Sequence, residues 1–150
     1  MRTITLVYER HHYIYRWLKP MLAARKEFKE LGYKVEYQSF IDYVPIFRGG
    51  MQKKLEHASI RSACHGKHDI VMMAFHHSTS DFCTKTSAEE RAEILKQIKA
   101  HCKTLVWLDT ADSTGTCMFD VMPYVDLYFK KQVLKNQIDY CRDVYGARTF

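Results

Sequence analysis

The chain has 150 residues, 47% of them apolar and 27% charged, with a formal net charge of +6. That is material for one domain around one core. No run approaches the roughly 18 apolar residues of a membrane span, and the N-terminal MRTITLVYER has neither the apolar length nor the small-residue cleavage site of a signal peptide.

These absences predict a cytoplasmic protein. The five cysteines, Cys64, Cys83, Cys102, Cys117 and Cys141, are odd in number and lack C-x-x-C spacing. A disulfide framework and a Cys-rich zinc site are therefore not expected. The positive charge is spread over Arg25-Lys26, Lys53-Lys54, Lys96, Lys99 and Lys130-Lys131, among Glu and Asp. Such dispersal reads as solvated helix faces rather than a nucleic-acid footprint, with peripheral attachment to an anionic membrane as a lesser option.

Thr3 to Tyr8 is short and β-branched and predicts a buried strand. The polar cluster Glu9-Arg10-His11-His12 follows. Tyr15 to Leu31 has helical spacing of Trp17, Leu18, Met21, Leu22, Phe28 and Leu31, with Pro20 near its start and Gly32 at its end. Lys34 to Phe40 alternates and predicts a more exposed strand near an edge. A loop with Pro45 and Gly49-Gly50 precedes a helix over Met51 to His65, closed by Gly66.

Asp69 to Phe75 is the most apolar strand and predicts a central one. His76-His77-Ser78-Thr79-Ser80 follows. Ser87-Ala88-Glu89-Glu90 matches a capping box for a helix running to about Cys102. Thr104 to Leu108 predicts a fourth strand, leading into Asp109-Thr110-Ala111-Asp112-Ser113-Thr114-Gly115. A short helical turn over Met118 to Met122, a fifth strand over Asp126 to Phe129 and a last helix over Gln132 to Tyr145 complete the chain. Strands alternating with helices imply right-handed crossovers, a five-stranded parallel sheet and a Rossmann-like three-layer α/β domain. The expected strand order is 3-2-1-4-5.

In open parallel sheets ligands bind beyond the carboxyl ends of the strands. Those ends carry Glu9, Arg10, His11 and His12; His76, His77, Ser78 and Thr79; Asp109, Thr110, Asp112, Ser113 and Thr114; and Lys130 and Lys131. The opposite ends carry ordinary turns. Each piece alone also has a structural explanation: solvated loops, backbone caps, Asx turns or a helix start. Asp109, His11 or His76 suits a general base toward a hydroxyl, and Lys and Arg suit phosphate oxygens. A His/Asp metal-dependent hydrolase is an alternative, without H-x-H or H-E-x-x-H spacing to support it. A dinucleotide fingerprint, a P-loop and a nucleophile elbow are absent. The acidic pair and aspartate of a phosphoacceptor domain are replaced by Glu9-Arg10 and His76-His77.

The run LVWLDTADSTGTCMFDVMPYVDLYFKKQVLKNQIDY, Leu105 to Tyr140, resembles the N-terminal domain of glycosyltransferases from bacterial surface-polysaccharide clusters. There a D-T-x-D-S segment is followed by V-D-x-Y-x-K-K-Q-x-L-K. Asp109, Thr110, Asp112, Ser113, Asp126, Tyr128, Lys130, Lys131 and Gln132 carry the match. The resemblance implies half of a two-domain GT-B enzyme. This half would bind a glycan or lipid-linked acceptor, and a missing C-terminal domain would bind the nucleotide-sugar donor. No cofactor is implied in this domain, and the chain alone would be catalytically incomplete. By this reading Asp109, His11 and His76 are catalytic candidates. Glu9, Arg10, His12, His77, Thr110, Asp112, Ser113, Lys130 and Lys131 are substrate-binding candidates. A stand-alone flavodoxin-like binding module is the other alternative.

Overall fold

The computed structural model describes residues 1–9, 12–37, 60–112 and 115–141. Five strands, β1 (Arg2–Tyr8), β2 (Tyr33–Tyr37), β3 (His68–Phe75), β4 (Cys102–Asp109) and β5 (Leu127–Lys130), form one fully parallel sheet. The helices are α1 (His12–Ala23), α2 (Arg25–Glu30), a helical stretch at residues 60–65 (α3), α4 (Asp81–Thr84) and α5 (Ala88–Ala100). The α/β class and the parallel sheet are as expected. The strand order is β2-β1-β3-β4-β5 rather than 3-2-1-4-5. Both orders are doubly wound, but they reverse direction at different places. Here the reversal falls between β1 and β3, so the ends of those two strands share the crevice.

Burial explains the order. β1 and β3 are paired from Ile4↔Ile70 to Tyr8↔Ala74, and Leu6, Val7, Val71 and Met73 are buried. The strands richest in apolar residues are covered on both faces, as central parallel strands must be. β2, with its alternating pattern, stands at the edge and has no fully buried residue.

Side chains alternate across the sheet. One face presents Val7, Met73, Phe75, Leu105 and Trp107 to Ile60, Ala63, Phe82, Leu95 and Ile98 of α3, α4 and α5. The other presents Tyr8, Ala74 and Leu108 to Ile14 and Leu18, one turn apart on α1. The capping box forms as read: Glu90 N donates to Ser87 Oγ at 3.1 Å and Ser87 N to Glu90 Oε2 at 2.8 Å. Gly32 takes φ +83°, a left-handed turn where a side chain is disfavoured. Its carbonyl then accepts from Arg2 N at 3.0 Å, tying the turn to β1.

Three helical expectations are corrected. The helix read as Tyr15 to Leu31 begins at His12 and is divided at Ala24, whose ψ of 19° leaves the helical range. Pro20 therefore lies inside α1. The turn placed at Met118 to Met122 is a 3-10 turn at Met122–Tyr124. The helix placed at Gln132 to Tyr145 is not helical over residues 132–136, and a 3-10 turn spans Gln137–Cys141. There Leu134 is buried while Val133 and Ile138 stay exposed, so among the described residues this segment anchors to the core at one point rather than along a helical stripe. Leu134 N donates instead to Tyr140 Oη at 2.8 Å. Most of the helix read at Met51 to His65, with Gln38 to Phe40 of the second strand, lies outside the described residues. α4 had no sequence expectation; Ser80 caps it by accepting from Phe82 N, and Phe82 enters the core. Among the described residues no helix is long and apolar enough to cross a membrane.

Candidate functional site

Two polar clusters occupy the carboxyl edge. The first bridges the strand-order reversal. Glu9, one residue past β1, is buried, and its backbone N donates to Ala74 O at 3.1 Å. Glu9 Oε2 accepts from His76 N at 3.3 Å and from Thr79 Oγ1 at 3.1 Å. The carboxylate thus holds the loop after β3 against the end of β1. His76 Nδ1 faces Ser78 N at 3.3 Å and Ser78 Oγ at 3.0 Å, and the His76 and His77 rings stack at 4.7 Å. Because the Ser78 N–H donates to Nδ1, the neutral His76 ring carries its proton on Nε2. His76 is therefore built to donate a hydrogen bond rather than to accept a proton at Nε2.

The second cluster joins β4 to β5. Asp109 and Lys130 are Cα partners, and Tyr128 lies two residues before Lys130 on the same sheet face. Lys130 Nζ reaches Asp109 Oδ2 at 3.1 Å, and both side chains are 3% exposed. Tyr128 Oη donates to Asp109 Oδ2 at 2.5 Å and accepts from Met118 N at 3.0 Å, while Ala111 N donates to Asp109 Oδ1 at 2.9 Å. Burial and the Asp109 hydrogen bond push the Tyr128 phenol far above its ordinary range. Burial likewise raises the thiol of the neighbouring Cys117. Asp109 is the internal hub that shapes the loop after β4.

Outside this hub, Asp112 is 80% exposed and paired with Lys131, which is 29% exposed. The Lys131 hydrogen bond holds the Asp112 carboxyl below the usual range. Thr110 Oγ1 and His77 Nδ1 are buried with no hydrogen-bond partner among the described residues.

The structure brings together Glu9, His76 and His77 at one end of the edge and Asp109, Thr110, Asp112, Lys130 and Lys131 at the other. His12 is the first residue of α1. Arg10, His11 and Ser113, and the side chain of His12, lie outside the described residues. Tyr128 and Thr79, named in the motif and at the end of β3, had no catalytic or binding role assigned to them. Period-two spacing from Lys130 pointed to Tyr128; for Thr79 only the position after β3 did. No group of three or more His, Cys, Asp or Glu among the described residues is arranged to hold a metal. No protein-family model, curated protein or solved structure matches the chain.

Proposed function

We propose that this chain is the acceptor-binding domain of a sugar-transferring enzyme, taking a neutral, hydroxyl-rich glycan at the carboxyl edge. The observation that carries the reading is the Asp109–Tyr128–Lys130 hub. The two halves of the Leu105 to Tyr140 motif lock together through it. Thr110, Asp112 and Lys131 follow directly on the two strands that this hub joins.

Among the described residues, charge favours a neutral ligand over a phosphate. Lys130 is engaged by Asp109 and Lys131 by Asp112, and Glu9 adds a further carboxylate to the same edge. Neither lysine brings unbalanced positive charge to an anion. Carboxylates, a threonine hydroxyl and imidazole N–H groups instead match the donors and acceptors of sugar hydroxyls. Asp112, kept ionised by Lys131, accepts the hydrogen bond of the acceptor hydroxyl. His76 Nε2–H donates to a neighbouring oxygen. The donor sugar is held by a second domain or subunit.

A protein-observed NMR titration tests this, with neutral oligosaccharides, nucleotide sugars and inorganic phosphate as probes. Neutral oligosaccharides are expected to shift Thr110, Asp112, His76 and His77, and Asp112→Asn to weaken binding. The reading fails if phosphate or a free nucleotide shifts this set and no oligosaccharide does.

A further inference from the structure

α1 packs on the sheet through Ile14 and Leu18, with Met21 beside them. By the 3.6-residue period the rest of its circumference faces outward. That half carries Tyr13, Tyr15 and Trp17, all exposed, with Arg16, Lys19 and Pro20 between and beside them. From His12 through Ala23 the helix has Arg16 and Lys19 and no acidic residue. A solvated helix face normally interleaves charges of both signs, as α5 does with Glu93 and Lys96. Here one sign of charge is interleaved with large aromatics instead.

The surface continues onto β5. Lys131 Nζ sits 4.0 Å from the centroid of the Trp17 ring. Leu127 and Phe129, at half exposure, extend from the α1-packed face of the sheet, since they pair with Val106 and Leu108. Tyrosine and tryptophan favour the lipid headgroup level, where an amphipathic ring has an apolar body and a wet edge. Cations beside them meet the negative charge of acidic headgroups. A helix lying flat, with apolar and basic groups alternating around its outward half, fits that interface.

We infer that the outward face of α1, continued by Leu127 and Phe129, docks on an anionic lipid bilayer. Charge complementarity selects the bilayer: Arg16 and Lys19, with no acidic residue on α1, present a surface of one sign. The inference does not depend on the sugar-transfer reading. Docking through α1 would bring the Lys131 end of β5, and with it the carboxyl edge, close to the bilayer.

Vesicle sedimentation and tryptophan fluorescence test it on the whole chain. Trp107 is 0% exposed and Trp17 is 44% exposed, so an emission change on vesicle addition reports Trp17. Binding and a blue shift are expected with phosphatidylglycerol-containing vesicles, not with pure phosphatidylcholine. Both are expected to fade at about 0.5 M salt, where screening is nearly complete. Trp17→Phe should abolish the shift while binding persists. Neutralising Arg16 and Lys19 to Gln should lower partitioning by roughly 30-fold, from about one headgroup attraction lost per cation. Both side chains are exposed, so an unchanged circular dichroism spectrum is expected to accompany the loss. Equal binding to the two vesicle types would overturn the inference, as would full binding by the Arg16→Gln, Lys19→Gln double variant. Displacement from vesicles by an oligonucleotide, with no blue shift of Trp17, would assign the face to nucleic acid and overturn it too.

Discussion

Lys130→Met isolates the hub at the end of β4 and β5. Methionine keeps the apolar stem and approximate volume but removes the ammonium. Asp109, 3% exposed, would keep its bonds from Ala111 N and Tyr128 Oη and lose its cationic partner. Breaking a buried pair from one side costs about 3–5 kcal/mol, because the remaining charge is left without compensation. The two surviving hydrogen bonds to the carboxylate place the cost near the lower end, about 3 kcal/mol. At about 2–4 °C per kcal/mol for a chain of this size, the melting temperature should fall by about 6–12 °C. Asp109→Asn should cost a similar amount by isolating Lys130. The double variant should cost little more than either single change, a coupling of about 2–3 kcal/mol. Urea unfolding followed by circular dichroism measures all three. Additivity within about 0.5 kcal/mol, or a Lys130→Met cost below about 1 kcal/mol, would refute the buried hub.

Gly66→Ala would place a Cβ 2.3 Å from His68 Nε2; a loss of about 1–3 kcal/mol is expected, largely rescued by adding His68→Ala. No rescue in the double variant would show that the clash lies elsewhere. Acid should destabilise the fold in two windows. Burial depresses the His68 imidazole below its usual 6.5, so its contribution is present above that pH and is lost as pH falls through the native value. Asp69 and Asp112 are held low by their lysine partners. Asp126 is pulled up by burial, but Lys99 and the Leu105 N–H outweigh this and hold it low. The unfolded chain takes up protons first, so this second loss begins near the ordinary carboxylate range of about 3.9 and deepens below it. A urea midpoint independent of pH from about 7 to 3 would contradict both assignments. Thiol labelling of the native protein should be fast at exposed Cys141 and slow at buried Cys64 and Cys83. It should also be slow at Cys102, whose thiol burial pushes up to about 11. Rapid modification of Cys64 by mass spectrometry would show that the α3 side of the core opens.

The parallel α/β class was legible because strand and helix periods alternate along the chain, and because Gly32, Ser87 and Glu90 punctuate it with local chemistry. The carboxyl-edge position of Glu9, His76, Asp109 and Lys130 was legible for the same reason: a strand's end is fixed once its direction is. The partners of these groups were not legible. Asp109 reads equally well as a free base or a structural acceptor until register sets Lys130 and Tyr128 beside it. The contact between His76 Nδ1 and Ser78 is likewise set by the loop's conformation and not by its composition. Local periodicity and capping were thus enough to place the strands and the edge where chemistry-bearing groups collect, but not every helix. Only the tertiary structure decided the β2-β1-β3-β4-β5 order, the loss of the expected helix over residues 132–136, and which polar groups face each other. Those depend on which strands pair and which faces are covered, and no local pattern encodes that.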